Sequence, residues 1–324
     1  MLRGLYAAGS SALVVLGLAI SCGASGPPVS AAVAGGRRAG VEPPPATPAS
    51  SAAPSPPEPL KELPRGGRAL FPEYRLVGYC GTPGAPALGS LLGNLQARAR
   101  ALETEASHYA DGRKPLPVFE LIAVVVQSGA GPDGKFRRRV DDSVVDQYLR
   151  AARQAKALLL LNVQPGHSDF LTEVKSFESY LHEPDVGLAL DPEWAMKPKQ
   201  QPGVYYGQTT GEVVNDVGAY LSEIVEKDNL PEKALVFHQV NREVLKDEEL
   251  IGAHPGVVLI KSVDGLGPAH TKVNTYNYLI KTMQSYVHPG FKLFFDEDTR
   301  NGSHLMAPRQ VMSLNPKPEY VMYE

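Results

Sequence analysis

Cysteine is almost absent from this chain: two residues in 324, Cys22 and Cys80. No disulfide framework holds it together, so its core must do so alone. An excess of one charge is missing too. The net charge is −3 with 21% charged residues, which argues against the footprint of a nucleic-acid binder. The strand ends are read as carrying neither a dinucleotide-binding GxGxxG nor a P-loop GxxxxGK[ST]. HExxH does not occur, and no HxH follows the first apolar run. Tryptophan appears once, at Trp194.

What is present begins with MLRGLYAAGSSALVVLGLAISCG. Arg3 gives a short positive start, and Leu13 to Ile20 is an apolar stretch of signal-peptide length, too short to favour a spanning helix. Ala19-Ile20-Ser21-Cys22 resembles the bacterial lipobox, with Ala19 where leucine is usual. Residues 1–22 are therefore expected to be a lipoprotein-type signal peptide with Cys22 lipidated. This places the protein outside the cell, on the outer face of the cell membrane, held by the lipid anchor only. An ordinary secretory signal that happens to contain a cysteine is the alternative. Residues 23–67 lack aromatics, have almost no large aliphatics and are dense in Pro, Ala and Ser. Such a segment cannot bury enough apolar surface to offset chain entropy and is expected to be a disordered tether.

From 68 to 324 short apolar runs alternate with helical patterns. The strand candidates are YRLVGYCG, FELIAVVVQS, ALLLLNVQPG, VGLALDPEW, ALVFHQV, GVVLIKSVDG, FKLFFDED and EYVMYE. Continuous apolar runs suit parallel strands covered on both faces. Helical patterns fill the gaps, among them NREVLKDEELI after the fifth run. Asp142 or Ser143 is expected to cap the helix after the second run, and Ser168 the one after the third. Alternating β and α implies a parallel sheet, and eight units of this size predict an α/β fold, a single-domain (β/α)8 TIM barrel. An open doubly wound sheet is the alternative.

In such barrels active sites lie at the carboxyl ends of the strands. Here those ends carry Tyr79, Asn162 and Gln164, Asp191 and Glu193, His238 and Gln239, Asp264, Asp296 and Asp298. Side chains alternate along a strand, so Ala189, Asp191 and Glu193 share a face, as do Asn162 and Gln164, and Asp296 and Asp298. Clustered carboxylates suit glycoside hydrolysis, in which one acid protonates the leaving oxygen and a second carboxylate is nucleophile, base or stabiliser. Like charges raise the pKa of one member. Glu193 is the expected acid, Asp191 the residue that tunes or orients it, and Asp264 or Asp296 the second carboxylate. Trp194 offers a stacking face. Tyr79, Asn162, Gln164, His238, Gln239 and Asp298 are candidate substrate contacts.

The Asp191-Pro192-Glu193 string resembles the Asp-x-Glu that ends the fourth strand of chitinase-type and lysozyme-type barrel glycosidases. That resemblance implies that Glu193 is the acid. The longer chitinase motif has further aspartates where this chain has Gly187 and Ala189, which argues against substrate-assisted chitin chemistry. LVGYCGTPG, LALDPEW, FHQV and FKLFFDED together resemble secreted bacterial lipoproteins of uncharacterised function, which implies no activity. The expected partner is a polysaccharide or cell-wall glycan, with no cofactor and no nucleic acid. Two rival readings stand beside it. One is a metal-dependent hydrolase with His238, Asp191, Asp264 and Asp296 as ligands. The other is a glycan-binding or scaffold lipoprotein that keeps the cleft without the chemistry. The blander roles are a salt bridge for Asp191 and Glu193, an exposed turn for Asp296 to Asp298, and a hydrogen-bonded core histidine for His238.

Overall fold

The computed structural model describes Leu60–Glu324. The expectations for 1–22, for Cys22 and for most of 23–67 lie outside the described residues. Within them, the eight barrel strands run in chain order: β1 (Tyr74–Gly81), β2 (Lys114–Val126), β3 (Leu158–Val163), β4 (Val186–Leu190), β5 (Lys233–Gln239), β6 (Val257–Val263), β7 (His288–Leu293) and β8 (Tyr320–Tyr323). Each pairs in parallel with the next. β8 then pairs with β1, with Leu76 opposite Tyr320, and closes the ring. The fold is a (β/α)8 TIM barrel.

The connecting helices are α1 (Leu95–Ser107), α2 (Asp142–Gln154), α3 (Phe170–Lys175), α4 (Glu178–Leu181), α5 (Gly211–Lys227), α6 (Ala269–Leu279) and α7 (Pro308–Val311). Their starts correct three expectations. Asp141, not Asp142 or Ser143, is the N-cap of α2. Asp169, not Ser168, caps α3, its carboxylate accepting from the Thr172 N–H at 2.8 Å. The helix expected over NREVLKDEELI is replaced by two 3-10 turns, Arg242–Val244 and Glu248–Leu250. Asn241 accepts from the Glu243 N–H, which favours a turn, and Asp247 takes a left-handed φ of 50° that no continuing helix tolerates.

Strand alternation sorts the core into two layers. Leu76, Val118, Leu160, Ala189, Val236, Ile260 and Met322 point into the barrel. Val77, Phe119, Leu161, Leu190, Phe237 and Leu259 point out against the helices. The inner layer is tightly filled: a Cβ at Gly187 would lie 2.6 Å from the Ala234 carbonyl oxygen. No carboxylate fits there.

β2 starts five residues earlier than Phe119, where the sequence pattern begins it, at Lys114, and runs through Pro115 and Pro117. The Lys114 N–H points to β1, bonding the Glu73 carbonyl, so the nitrogens of Pro115 and Pro117 face the other way. On that side β3 joins only from Leu158, opposite Val118. The prolines therefore sit where no ladder donor is required. The Pro115 carbonyl on the same edge accepts from Arg65 Nη1 at 2.9 Å.

Arg65 belongs to a segment that moves the expected domain boundary. The folded part begins before Gly67. Leu63 is buried in the inner core beside Leu70 and Tyr74, and the Leu63 N–H bonds the Gly67 carbonyl at 2.9 Å. The Tyr74 hydroxyl donates to the carbonyls of Arg65 and Gly66. Leu63, Leu70 and Tyr74 thus stopper the amino end of the barrel. Leu63→Ala is expected to cost about 3 kcal/mol of unfolding free energy through the cavity it leaves. Urea denaturation will check this, and a chain starting at Arg68 should be destabilised at least as much as the point variant.

Candidate active site

All eight strands send a polar group into the carboxyl-end half of the barrel. β2 contributes Glu120, β3 Asn162, β5 His238, β6 Ser262, β7 Lys292 and β1 Cys80. Asp191, Asp264 and Glu324 follow the last residues of β4, β6 and β8, and the Tyr320 side chain reaches the group from β8. His238 is fully buried. Its Nδ1 lies 2.8 Å from Asp264 Oδ2 and its Nε2 3.1 Å from Glu120 Oε1. Asp191 Oδ1 is 3.9 Å from the same Nε2. Ser262 donates to Asp264 at 2.8 Å, and the Tyr320 hydroxyl donates to Glu120. Lys292 Nζ sits 2.6 Å from Glu324 and 3.4 Å from Asp264. Asn162 Nδ2 bridges Glu120 at 2.9 Å and Asp191 at 3.0 Å, and Gln164 Nε2 reaches the other Asp191 oxygen at 3.0 Å.

The charges in this group follow from their neighbours. Burial opposes ionisation of Asp264, but His238 and Lys292 overcome it and hold the carboxyl down at about 2. Glu120 is lowered in the same way, by His238, Lys292 and Tyr320 against its burial. Burial also opposes the cations. Asp264 and Glu120 nevertheless raise His238 well above its ordinary range, so it is an imidazolium that donates from both nitrogens. Glu324 and Asp264 do the same for Lys292. Asp191 goes the other way: burial raises it, and His238 and Lys292 only partly offset that.

Glu193 stands apart. β4 ends at Leu190, and Pro192–Trp194 forms a 3-10 turn, so the turn and not strand alternation places this carboxyl. It is 7% exposed, and its Oε2 is buried with no hydrogen-bond partner. Burial raises its pKa well above the ordinary value, and the nearby carboxylates of Asp191 and Asp264 push it further. The segment after it folds back over the site: the Gly207 N–H bonds the Glu193 carbonyl, and the Gln208 N–H bonds that of Ala195 at 2.8 Å. Only glycine fits at 207, because any Cβ there would strike the Ala195 backbone. Tyr206, beside this pinch, has its phenol pKa raised by burial and by Glu193.

No family model and no curated protein matches this sequence. Among solved structures the chain is similar to one named "Glycoside hydrolase-like protein", at 10% identity and a TM-score of 0.39, over 83% of this chain and 86% of that one. A likeness at that level carries no argument about function. The barrel rests on the strand pairing, and the site on its own chemistry.

The structure brings together Asn162, Gln164, Asp191, Glu193, His238 and Asp264. It does not bring in four other expected residues. Asp296 is exposed in the turn after β7, where its carbonyl accepts from the Thr299 hydroxyl. Asp298 is buried but spent on structure: it accepts from the N–H groups of Gly267 and Phe294 and pairs with Lys272 at 2.9 Å. Their expected shared face is lost because the chain turns after Leu293. Tyr79 points out of the barrel, its ring edge-on to Tyr323 at 5.9 Å and to Phe295 at 6.3 Å. Gln239 is buried at the end of β5 with both amide atoms unpartnered, and it alternates away from His238. Trp194 is half-buried on the turn beside Glu193. His238 is fully buried, with a carboxylate at each ring nitrogen, the arrangement of a hydrogen-bonded core histidine.

Two further readings change. Among the described residues no group of His, Cys, Asp and Glu is arranged to hold a metal ion. Asp296 is exposed in the turn after β7, and the Lys292 ammonium lies beside Asp264, which breaks the expected set. Residues Gly129 to Gly134, GAGPDG, do spell GxGxxG after β2, contrary to the sequence reading. They lead into a short antiparallel strand, Arg137–Arg139, and so lack the helix N-terminus a pyrophosphate loop uses. Sequence reasoning missed Glu120, Ser262, Lys292 and Tyr320. A charge inside an apolar run was the available signal for Glu120 and Lys292.

A carboxyl whose pKa is raised on folding adds stability below its unfolded value, lost as pH rises through the folded one. Glu193 therefore weakens the fold towards neutral and alkaline pH. Glu193→Gln should raise the melting temperature above pH 7 and leave it unchanged near pH 4, as read by calorimetry across that range. For Asp264, lowered to about 2, the sign is opposite: its contribution is complete above its ordinary value of 3.8 and is lost as pH falls through about 2.

Proposed function

We propose that the barrel hydrolyses glycosidic bonds of a polysaccharide, with Glu193 as general acid. The observation that carries this is the Glu193 carboxyl itself: buried, with Oε2 unpartnered, just past the carboxyl end of β4, its pKa pushed well up by burial and by Asp191 and Asp264. A structural carboxylate is ordinarily paired, and a general acid must hold its proton at working pH. Glu193 gives that proton to the glycosidic oxygen as the C–O bond to the anomeric carbon breaks. Asp191 becomes the second carboxylate, because Asp264 is committed to His238 and Lys292 and Asp296 lies elsewhere. In its ionised form Asp191 stabilises the sugar cation until water adds and gives one proton back to the Glu193 carboxylate. Asn162 and Gln164 hold Asp191 in place.

A non-catalytic glycan-binding protein is the second reading. It is favoured by the ion pairs that tie Asp264 and Glu120 within the barrel. One experiment divides the two. The native chain is incubated with a panel of cell-wall and plant glycans, and products are read by mass spectrometry. Glu193→Gln should lower turnover on the order of 10²–10⁴-fold with the fold retained. Native activity should fall on the alkaline side as Glu193 loses its proton. Glycan retention without product from the native chain sinks the enzyme reading.

Export and lipid anchoring at Cys22 form part of this proposal and rest on the N-terminal sequence alone. Among the described residues no helix is long and apolar enough to cross a membrane. Metabolic labelling with a fatty-acid probe should tag the native chain in membranes, and Cys22→Ser should lose the label.

A further inference from the structure

We propose that this site takes an uncharged sugar and rejects glycans whose sugars carry carboxylate, sulfate or phosphate groups. The inference rests on the glycosidase reading and names its substrate class.

The first observation is the balance of charge. The group holds four carboxylates, Glu120, Asp191, Asp264 and Glu324, and two cations, His238 and Lys292. Even with Asp191 protonated, three carboxylates face two cations. Both cations are already committed: His238 donates from one nitrogen to Asp264 and from the other to Glu120, and Lys292 lies between Glu324 and Asp264. Among the described residues no other lysine or arginine pairs with these carboxylates. An anionic sugar entering here meets an excess of its own charge in a water-poor setting, where like charges repel strongly.

The second observation concerns unpartnered polar atoms. Asn162 Oδ1 and Glu193 Oε2 are both buried without a hydrogen-bond partner. Asn162 Oδ1 can only accept, so a ligand must bring a donor to it. Protonated Glu193 can donate, so the ligand must also bring an acceptor. A sugar hydroxyl is both. A carboxylate or sulfate seated at these atoms is an acceptor only and would leave the Asn162 oxygen unsatisfied, which costs affinity. Charge and hydrogen bonding therefore select the same ligand.

The test uses the full chain carrying Glu193→Gln, so that binding is read without turnover. Its probes are hexamers of glucose, galactose, mannose and N-acetylglucosamine, each paired with the same oligomer oxidised to a carboxylate at C6. Isothermal titration should show one neutral hexamer bound and its oxidised partner bound at least about tenfold more weakly. Adding Glu324→Gln removes a carboxylate and releases Lys292, and should shrink that ratio. If circular dichroism shows this double variant unfolded, Glu120→Gln, which removes one ionised carboxylate at nearly unchanged shape, takes its place with the same expected shrinkage. Equal or tighter binding of the oxidised hexamer overturns the inference and leaves the glycosidase reading standing. Binding of no hexamer of either kind, with no product from the native chain on the glycan panel, overturns both.

Discussion

A charge cannot lie alone inside a barrel, and the upper half of this one is organised by that constraint. Glu120, His238, Asp264, Lys292 and Glu324 alternate in sign across five strands. Each charge is kept by its neighbours against the cost of burial. Removing His238 strips Glu120 of its only ion-pair partner and Asp264 of one of two, so the cations hold the group together. The hydroxyls of Ser262 and Tyr320 and the Asn162 amide fill the remaining hydrogen-bonding capacity. The network joins β2, β5, β6, β7 and the end of β8, and so fixes the barrel mouth that the loops build on.

Glu193 derives its character from being left out of that network. It lies among carboxylates, has no cation of its own and is shielded from water by the fold-back through Gly207. A group in that state weakens the fold while making a better acid, which is the usual relation between stability and function at reactive sites. Below it the barrel is ordinary packing: small residues at Gly187, Ala189 and Ala234 give room to the larger Leu160, Val236 and Ile260. At the opposite end Leu63, Leu70 and Tyr74 exclude water from the amino-end opening. The molecule thus divides along the barrel axis into a stabilising lower half and a polar upper half.

The same geometry serves a hydrolase and a sugar-binding protein up to the moment of proton transfer. What distinguishes them is whether the proton on Glu193 is delivered to a bond or only to a hydrogen bond. The committed state of Asp264 and Glu120 leaves only Asp191 and Glu193 free for chemistry, which is why it leans towards the binding reading.

The barrel was legible in the sequence because each strand is a continuous apolar run with polar residues at its carboxyl end. That pattern comes from burial on both faces, a local property of each run. Asn162, Gln164, Asp191 and Glu193 were legible for the same reason. Lys261 and Lys292 show where this stops. Each is a lysine within an apolar strand, and nothing in the run tells them apart. Lys261 points outward to Glu248 and the Leu279 carbonyl, and Lys292 points inward to Asp264 and Glu324. Alternation gives two faces and does not say which is the inside. Closure of β8 onto β1 decides that, and with it the burial of Glu120 and the exclusion of Asp296. The sequence by itself determined the strands, their order and the residue types at their ends, since these depend on local burial and alternation. Only the tertiary structure decided which charges meet, because pairing across a closed barrel depends on strand register and on where each chain segment turns away.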